Sequence, residues 1–263
     1  MNLGIEGKTA VVTASSRGLG RAVAESLAAE GVNLAICARN EEQLSRTADE
    51  IRKKYRVEVF HKPCNVTDAN EVKAFTREVV NNFETVHILF ANAGGPPAGS
   101  LDVLGTTDFE DALQLNCIST IRLVYSFIPF MKTQEWGRII ASTSITVKQP
   151  IENLALSNVS RAGVIPFIKG IADEYGHLNI TANALAPGYI MTDRVKNLLK
   201  DRMSREGISF EEVLQSLISQ IPVGRAGKPE EFGALAAFLS SEHAGFINGT
   251  TMLIDGGMYR GIM

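Results

Sequence analysis

Two side chains at helical spacing, Ser157 and Arg161, could act together on an oxygen atom. They stand at i and i+4 of a segment with helical period, so they share one face. An aliphatic hydroxyl can donate a hydrogen bond to a developing oxyanion, but it is a poor general acid. A guanidinium stays protonated in proteins and cannot shuttle a proton. It can still grip ribose hydroxyls or a carboxylate. Upstream, Ser144 closes an apolar run, Arg138-Ile139-Ile140-Ala141-Ser142-Thr143, which reads as a buried strand.

A second cluster lies near the N-terminus. Thr13-Ala14-Ser15-Ser16-Arg17-Gly18-Leu19-Gly20 follows an apolar run and opens a helix. Gly18 and Gly20 let backbone approach a phosphate closely, and a helix N-terminus favours negative charge. The next strand ends Cys37-Ala38-Arg39, with no acidic residue before Glu41. An acid there would hold the ribose 2′-hydroxyl of NAD, whereas an arginine accommodates a 2′-phosphate. Arg17 and Arg39 therefore predict NADP(H) in preference to NAD(H).

These groups need a scaffold, and the pattern supplies one. Short apolar runs at 10–12, 34–37, 57–60, 88–90, 139–141, 180–184 and 252–254 alternate with helical stretches near 18–30, 41–54, 68–83, 107–132 and 151–176. Alternation of this kind predicts βαβ units and a single α/β domain over residues 1–263. Its doubly wound parallel sheet has about seven strands and carries helices on both faces. Pro129 and Pro166 fall inside two of the helices and predict bends. Residues 190–228 break the alternation with a charged stretch, Asp193 to Arg205, and an amphipathic one, Phe210 to Ile221.

Taken together, the glycine turn, Asn116, Ser144 and the 157–161 pair resemble the short-chain dehydrogenase/reductase family. Further motifs carry the resemblance: Asn65-Val66 after the third strand, Asn92-Ala93-Gly94 after the fourth, Pro187-Gly188-Tyr189-Ile190-Met191-Thr192 after the sixth, and Ile254-Asp255-Gly256-Gly257 near the end. The family has a catalytic tetrad of Asn, Ser, Tyr and Lys. Here Asn116 and Ser144 fit, Ser157 stands in the Tyr position and Arg161 in the Lys position. The family's glycine motif, T-G-x-x-x-G-x-G, is met except at Ala14. A positive φ there would put strain on the alanine.

The resemblance implies a Rossmann-type fold closest to 3-oxoacyl-carrier-protein reductase-like members. It implies an NADP(H)-dependent oxidoreductase acting on a small carbonyl or alcohol substrate. Thr13, Ser15, Ser16, Arg17, Gly18, Leu19, Gly20, Arg39, Asn65, Val66, Asn92, Ala93, Gly94, Pro187, Gly188, Ile190 and Thr192 would line the cofactor. Asn116, Ser144, Ser157 and Arg161 would face the reacting carbon. It further implies that residues 190–228 cover the substrate. A homo-oligomer, dimer or tetramer, would pair through helices 107–132 and 151–176. The altered tetrad opens a second reading, a nucleotide-binding partner or regulator without hydride transfer. Tyr189 and Lys148 are the substitute proton donors to weigh, although a hydrophobic wall and an exposed charge are the plainer roles for them.

Composition narrows the classes. The chain has 263 residues, 45% of them hydrophobic, with net charge −3 and a pI near 5.9, a balance unlike the basic surface of a nucleic-acid binder. Its three cysteines are unpatterned, which suits a reducing compartment, and no Cys/His cluster has metal-ligand spacing. The first residues lack the order of a signal peptide, and no apolar run reaches membrane-spanning length. The expectation is a soluble cytoplasmic protein without a membrane or nucleic-acid partner.

Overall fold

The structure is a computed structural model that describes residues 1–262. Seven strands form one parallel sheet: β1 (Thr9–Thr13), β2 (Asn33–Ala38), β3 (Val59–Pro63), β4 (Ile88–Ala91), β5 (Gly137–Ser142), β6 (Ile180–Pro187) and β7 (Thr251–Ile254). Their order is β3-β2-β1-β4-β5-β6-β7. The order reverses between β1 and β4, and the crevice beyond the strand ends there is where open α/β sheets place a ligand.

Alternation along each strand divides the core. Ala10 and Val12 of β1 join one layer with α1 (Gly18–Ala29) and α2 (Glu41–Tyr55). Val11 points the other way, toward α3 (Ala69–Phe83). Both layers are buried, so the central strands read as unbroken apolar runs. The remaining helices are α4 (Thr106–Leu113), α5 (Ser119–Thr133), α6 (Ala155–Ala162), α7 (Val164–Tyr175), α8 (Asp193–Glu206), α9 (Phe210–Ile218) and α10 (Pro229–Leu239). Local signals set several helix starts. Asn40 accepts from Gln43 N at 2.8 Å, Asp68 accepts from Asn70 N and Glu71 N at 2.7 and 3.0 Å, and Ser209 with Glu212 forms a capping box before α9. Among the described residues no helix is long and apolar enough to cross a membrane.

Three expectations change. The third strand begins at Val59 rather than Val57, because its bounds follow pairing with Leu34–Ala38 and not its own hydrophobicity. As an edge strand with a half-exposed face it tolerates His61, Lys62 and Pro63. The 107–132 stretch is α4 and α5 joined by one π-helical turn, Gln114–Ile118. The 151–176 stretch is broken at Gly163 into α6 and α7. Pro166 therefore lies in the first turn of α7, where its missing N–H has no intrahelical role, and it does not kink a helix interior. Pro129 is inside α5, as expected.

His87, just before β4, has a structural role. Its Nδ1 accepts from Thr9 N at 3.0 Å. Burial first, and the Lys8 charge second, push its pKa down to about 4, so it stays neutral near pH 7.

Candidate active site

The glycine turn is anchored from three sides. Ser15 donates from its backbone N and its Oγ to Cys37 O, at 3.1 and 3.2 Å. Thr47 Oγ1 of α2 donates to Ser16 O at 3.0 Å. Gly20 lies so close to the preceding loop that a Cβ built on it would stand 2.3 Å from Ala14 O. Gly18 has φ +59° and faces the Thr192 side chain, while Leu19 packs on the core beneath the turn. Ala14 itself has φ +50°, the left-handed region that its family position reserves for glycine. An L-residue there costs about 1–2 kcal/mol, offset in part by the extra freedom glycine brings to the unfolded chain. Ala14→Gly is therefore expected to stabilise the protein by about 0.5–1 kcal/mol, raising Tm by about 2 °C. Thermal and urea unfolding would check this, and a lower stability would show that the turn is not strained.

The strand ends complete the cradle. Thr13 Oγ1 donates to Asn92 O at 2.6 Å and accepts from Asn92 N at 2.9 Å, which ties β1 to β4 at the switch point. Ala93 and Gly94 follow directly, and a Cβ at Gly94 would meet nothing within 4 Å, so open space lies above it. Asn65 Oδ1 is used locally, accepting from Thr67 N and Thr67 Oγ1 at 3.2 and 2.9 Å. Val66 is buried, and its carbonyl accepts from Arg122 at 2.7 Å. Beyond β6, Gly188 N donates to Ile254 O at 3.0 Å after Pro187, and Ile190 bridges to Gly227. Thr192 caps α8 through Val195 N at 3.4 Å. Arg39 is exposed, and Arg17 lies 3.9 Å from Asp193 in an exposed ion pair of little energetic weight.

The four tetrad positions do converge at the ends of β4 and β5, through side chains between them. Ser144 is extended and its Oγ accepts from Thr146 N at 3.2 Å. Thr146 Oγ1 stands 3.3 Å from Ser157 Oγ. Asn116 sits in the π turn, buried, with Nδ2 donating to Gly94 O at 3.0 Å and Oδ1 accepting from Ser160 Oγ at 3.1 Å. Its amide is thus engaged within the protein at both ends and fixes the Gly94 loop to α6.

Arg161 is 7% exposed, and its Nη1 donates to Ser142 O and Thr143 O, both at 3.1 Å. Among the described residues it has no carboxylate partner. Burial first, and the Arg194 charge second, bring its pKa down to about 10, so it remains a cation at neutral pH. Its remaining N–H groups make no hydrogen bond among the described residues.

Tyr189 is not tuned to give up a proton. Tyr189 packs in the apolar cluster beneath α8 and α9, and burial pushes its phenol up. A proton donor would need the opposite shift. Lys148 is exposed beyond the short helix Ile145–Val147. Sequence reasoning missed Thr146, Ser160 and Arg194. Ser160 carried a signal, since it stands at i+3 of Ser157. Thr146 and Arg194 carried none, because Ser157 of α6 and the Pro96 carbonyl, which they meet, lie outside their own segments.

Comparison with known proteins bears on the fold and the family. Residues 13–259 match the family described as enoyl-(acyl carrier protein) reductase. The chain is 32% identical over 259 residues to the 3-oxoacyl-[acyl-carrier-protein] reductase of Aquifex aeolicus, covering 98% of this chain and 100% of that protein. It is 34% identical over 253 residues to the Staphylococcus aureus protein of the same name, covering 96% and 98%. The crystal structure of L-sorbose reductase from Gluconobacter frateurii, complexed with NADPH and L-sorbose, superposes with a TM-score of 0.95 at 31% identity over the whole of both chains. Likeness on that scale, from end to end and through every strand, makes this chain a member of the short-chain dehydrogenase/reductase family.

Proposed function

We propose that this protein is an NADP(H)-dependent oxidoreductase that reduces a small carbonyl compound, or oxidises the alcohol, with a tetrad of altered chemistry. The observation that carries the reading is the glycine turn. It is anchored by Cys37 O and Thr47, closed by Gly20, and set at the sheet's switch point beside open space at Gly94. Dinucleotide phosphates fit such a turn. Relatives named as reductases, one of them solved with NADPH, support the same reading. Arg39 and Arg17 would hold the 2′-phosphate. Gly188, Ile190 and Thr192 would face the nicotinamide half.

Bound NADPH supplies a hydride. The chain's own task is then to hold negative charge on the substrate oxygen until water supplies the proton that completes the alcohol. Ser157 Oγ–H, backed by Thr146, donates a hydrogen bond to it, and the Arg161 guanidinium supplies a fixed cation in a site of low polarity. Asn116 keeps the Gly94 loop in place for both. Helices α8 and α9 pack over Ile145 and Tyr189 through Val195, Leu199, Val213 and Leu217, and would exclude water as a cover. Tyr125 on α5 is 62% exposed beside Phe167 of α7, and Val159 on α6 is 47% exposed, which supports a homo-oligomer that pairs these helices.

The test has two steps. NADPH and NADH are titrated by fluorescence, and NADPH loss is then followed with 3-oxoacyl, diketone and quinone compounds. NADPH should bind about tenfold or more tightly than NADH, and Arg39→Ala should remove that preference while sparing NADH. Failure to bind either coenzyme would overturn the proposal. Tight binding with no turnover would favour a nucleotide-binding regulator, a reading supported by the missing phenol at residue 157.

A further inference from the structure

We infer that Thr146 is a positioning residue that sets Ser144 and Ser157 as paired hydroxyl donors to one substrate oxygen. This deepens the reductase reading and rests on it. Thr146 is the middle residue of the single short helical turn Ile145–Val147 beyond β5. Its two polar ends reach both serines. The backbone N donates to Ser144 Oγ at 3.2 Å, and Oγ1 stands 3.3 Å from Ser157 Oγ, 11 residues along the chain. Ile145, next to it, is buried in the cluster with Val195 and Leu199, so the turn is held in place from the α8 side.

Thr13, Thr47, Thr120 and Thr143 are buried like Thr146, and each of them donates to a main-chain oxygen. Ser126 of α5 and Ser240 at the end of α10 donate to the carbonyl four residues back. Neither outlet serves this pair. Ser157 lies in the first turn of α6, and the carbonyl four residues back, Asn153 O, accepts from Gly99 N at 2.9 Å. Among the described residues the Thr146 and Ser157 hydroxyls have only each other, and the Ser144 hydroxyl donates to nothing.

Two hydroxyls that share one hydrogen bond leave one proton over. If Ser157 donates to Thr146, its lone pairs meet the substrate oxygen and repel it as charge develops. If Thr146 donates to Ser157, the Ser157 proton is released to the substrate, and the donation polarises that O–H further. A developing oxyanion selects the second order. The Thr146 N–H meanwhile occupies a lone pair of Ser144 Oγ and leaves the Ser144 proton for the same oxygen. As hydride reaches the carbonyl carbon, the π pair moves onto oxygen and meets two O–H groups, and water then completes the alcohol. That stage stabilises charge without transferring a proton from the chain, so it needs no phenol.

The test follows NADPH oxidation with 2,3-butanedione, 9,10-phenanthrenequinone and an acetoacetyl thioester. The parent is compared with Thr146→Val, Thr146→Ser, Ser157→Ala and the double variant Thr146→Val with Ser157→Ala, on whichever compound the parent reduces fastest. Thr146→Val keeps the shape and drops the hydroxyl. It should lower kcat about tenfold, with KM for NADPH within about twofold of the parent. Thr146→Ser should bring kcat back to within about threefold. Ser157→Ala should cost about 100-fold, and adding Thr146→Val to it should cost less than about twofold more, because the hydroxyl to be oriented is gone. A role in folding alone would leave the two losses multiplicative. Should urea unfolding show that Thr146→Val does not fold, Thr146→Ala is read in the same way. Unchanged kcat in the variant without the hydroxyl, Thr146→Ser as slow as that variant, or multiplicative losses would overturn the inference and leave the reductase reading standing. A parent that binds NADPH and reduces none of these compounds would remove that reading and the inference together.

Discussion

Gly20→Ala is expected to abolish coenzyme binding, raising the NADPH dissociation constant at least about 100-fold, and to destabilise the fold by about 2–3 kcal/mol. The added methyl would stand 2.3 Å from Ala14 O, 2.9 Å from Ala14 C and 3.0 Å from Thr13 O. All three are backbone atoms, so no rotamer change relieves the contact. Either α1 moves away from the end of β1, or the turn opens and its N–H groups lose their aim. Fluorescence titration with NADPH and urea unfolding of both proteins would measure the two effects. A variant that binds like its parent would show that phosphates do not rest on this turn.

The second large effect is expected at Arg161. Replacing it by methionine takes away the donors on Ser142 O and Thr143 O together with a buried charge. The unpaired carbonyls are unfavourable, and removal of an uncompensated cation is favourable, so the net change in stability should stay within about 2 kcal/mol. Catalysis has no such offset. Loss of a preorganised cation at a developing oxyanion should lower kcat by about 10²–10³-fold. Arg161→Lys keeps the charge and should recover most of that loss. Steady-state kinetics of the two variants separate charge from packing: equal rates in both would deny the cation a role. Adding Ser157→Tyr to Arg161→Lys then asks whether the scaffold accepts the family's usual pair.

Parts of the molecule that depend on neighbours in sequence were legible before any coordinates. The strand–turn–helix at Thr13–Gly20, the face shared by Ser157 and Arg161, and the strain awaiting Ala14 all follow from local periodicity and backbone sterics. What depends on pairing across the fold was not. The β3 bounds are set by β2, and the break at Gly163 interrupts a periodicity that runs through it. Asn116 stands within a helical stretch whose periodicity does not say which way its amide faces, and its contacts with Gly94 and Ser160 show it to be buried and engaged. Arg194 meets Pro96 across 98 residues of chain, a contact no window of sequence contains.

The wide turn at Gln114–Ile118 has one more implication. An α-helix advances about 100° per residue, and a π turn holds one residue more than the α geometry would. Deleting a single amino acid between Leu113 and Ser119 could therefore heal the helix into regular α form. The same deletion would swing Asn116 about a quarter of the way around the axis relative to one flank, away from Gly94 or from Ser160. The irregularity thus works as a spacer. It lets one rod serve two masters, lying flush with its neighbours along its length while presenting a single amide at an angle regular winding would not allow.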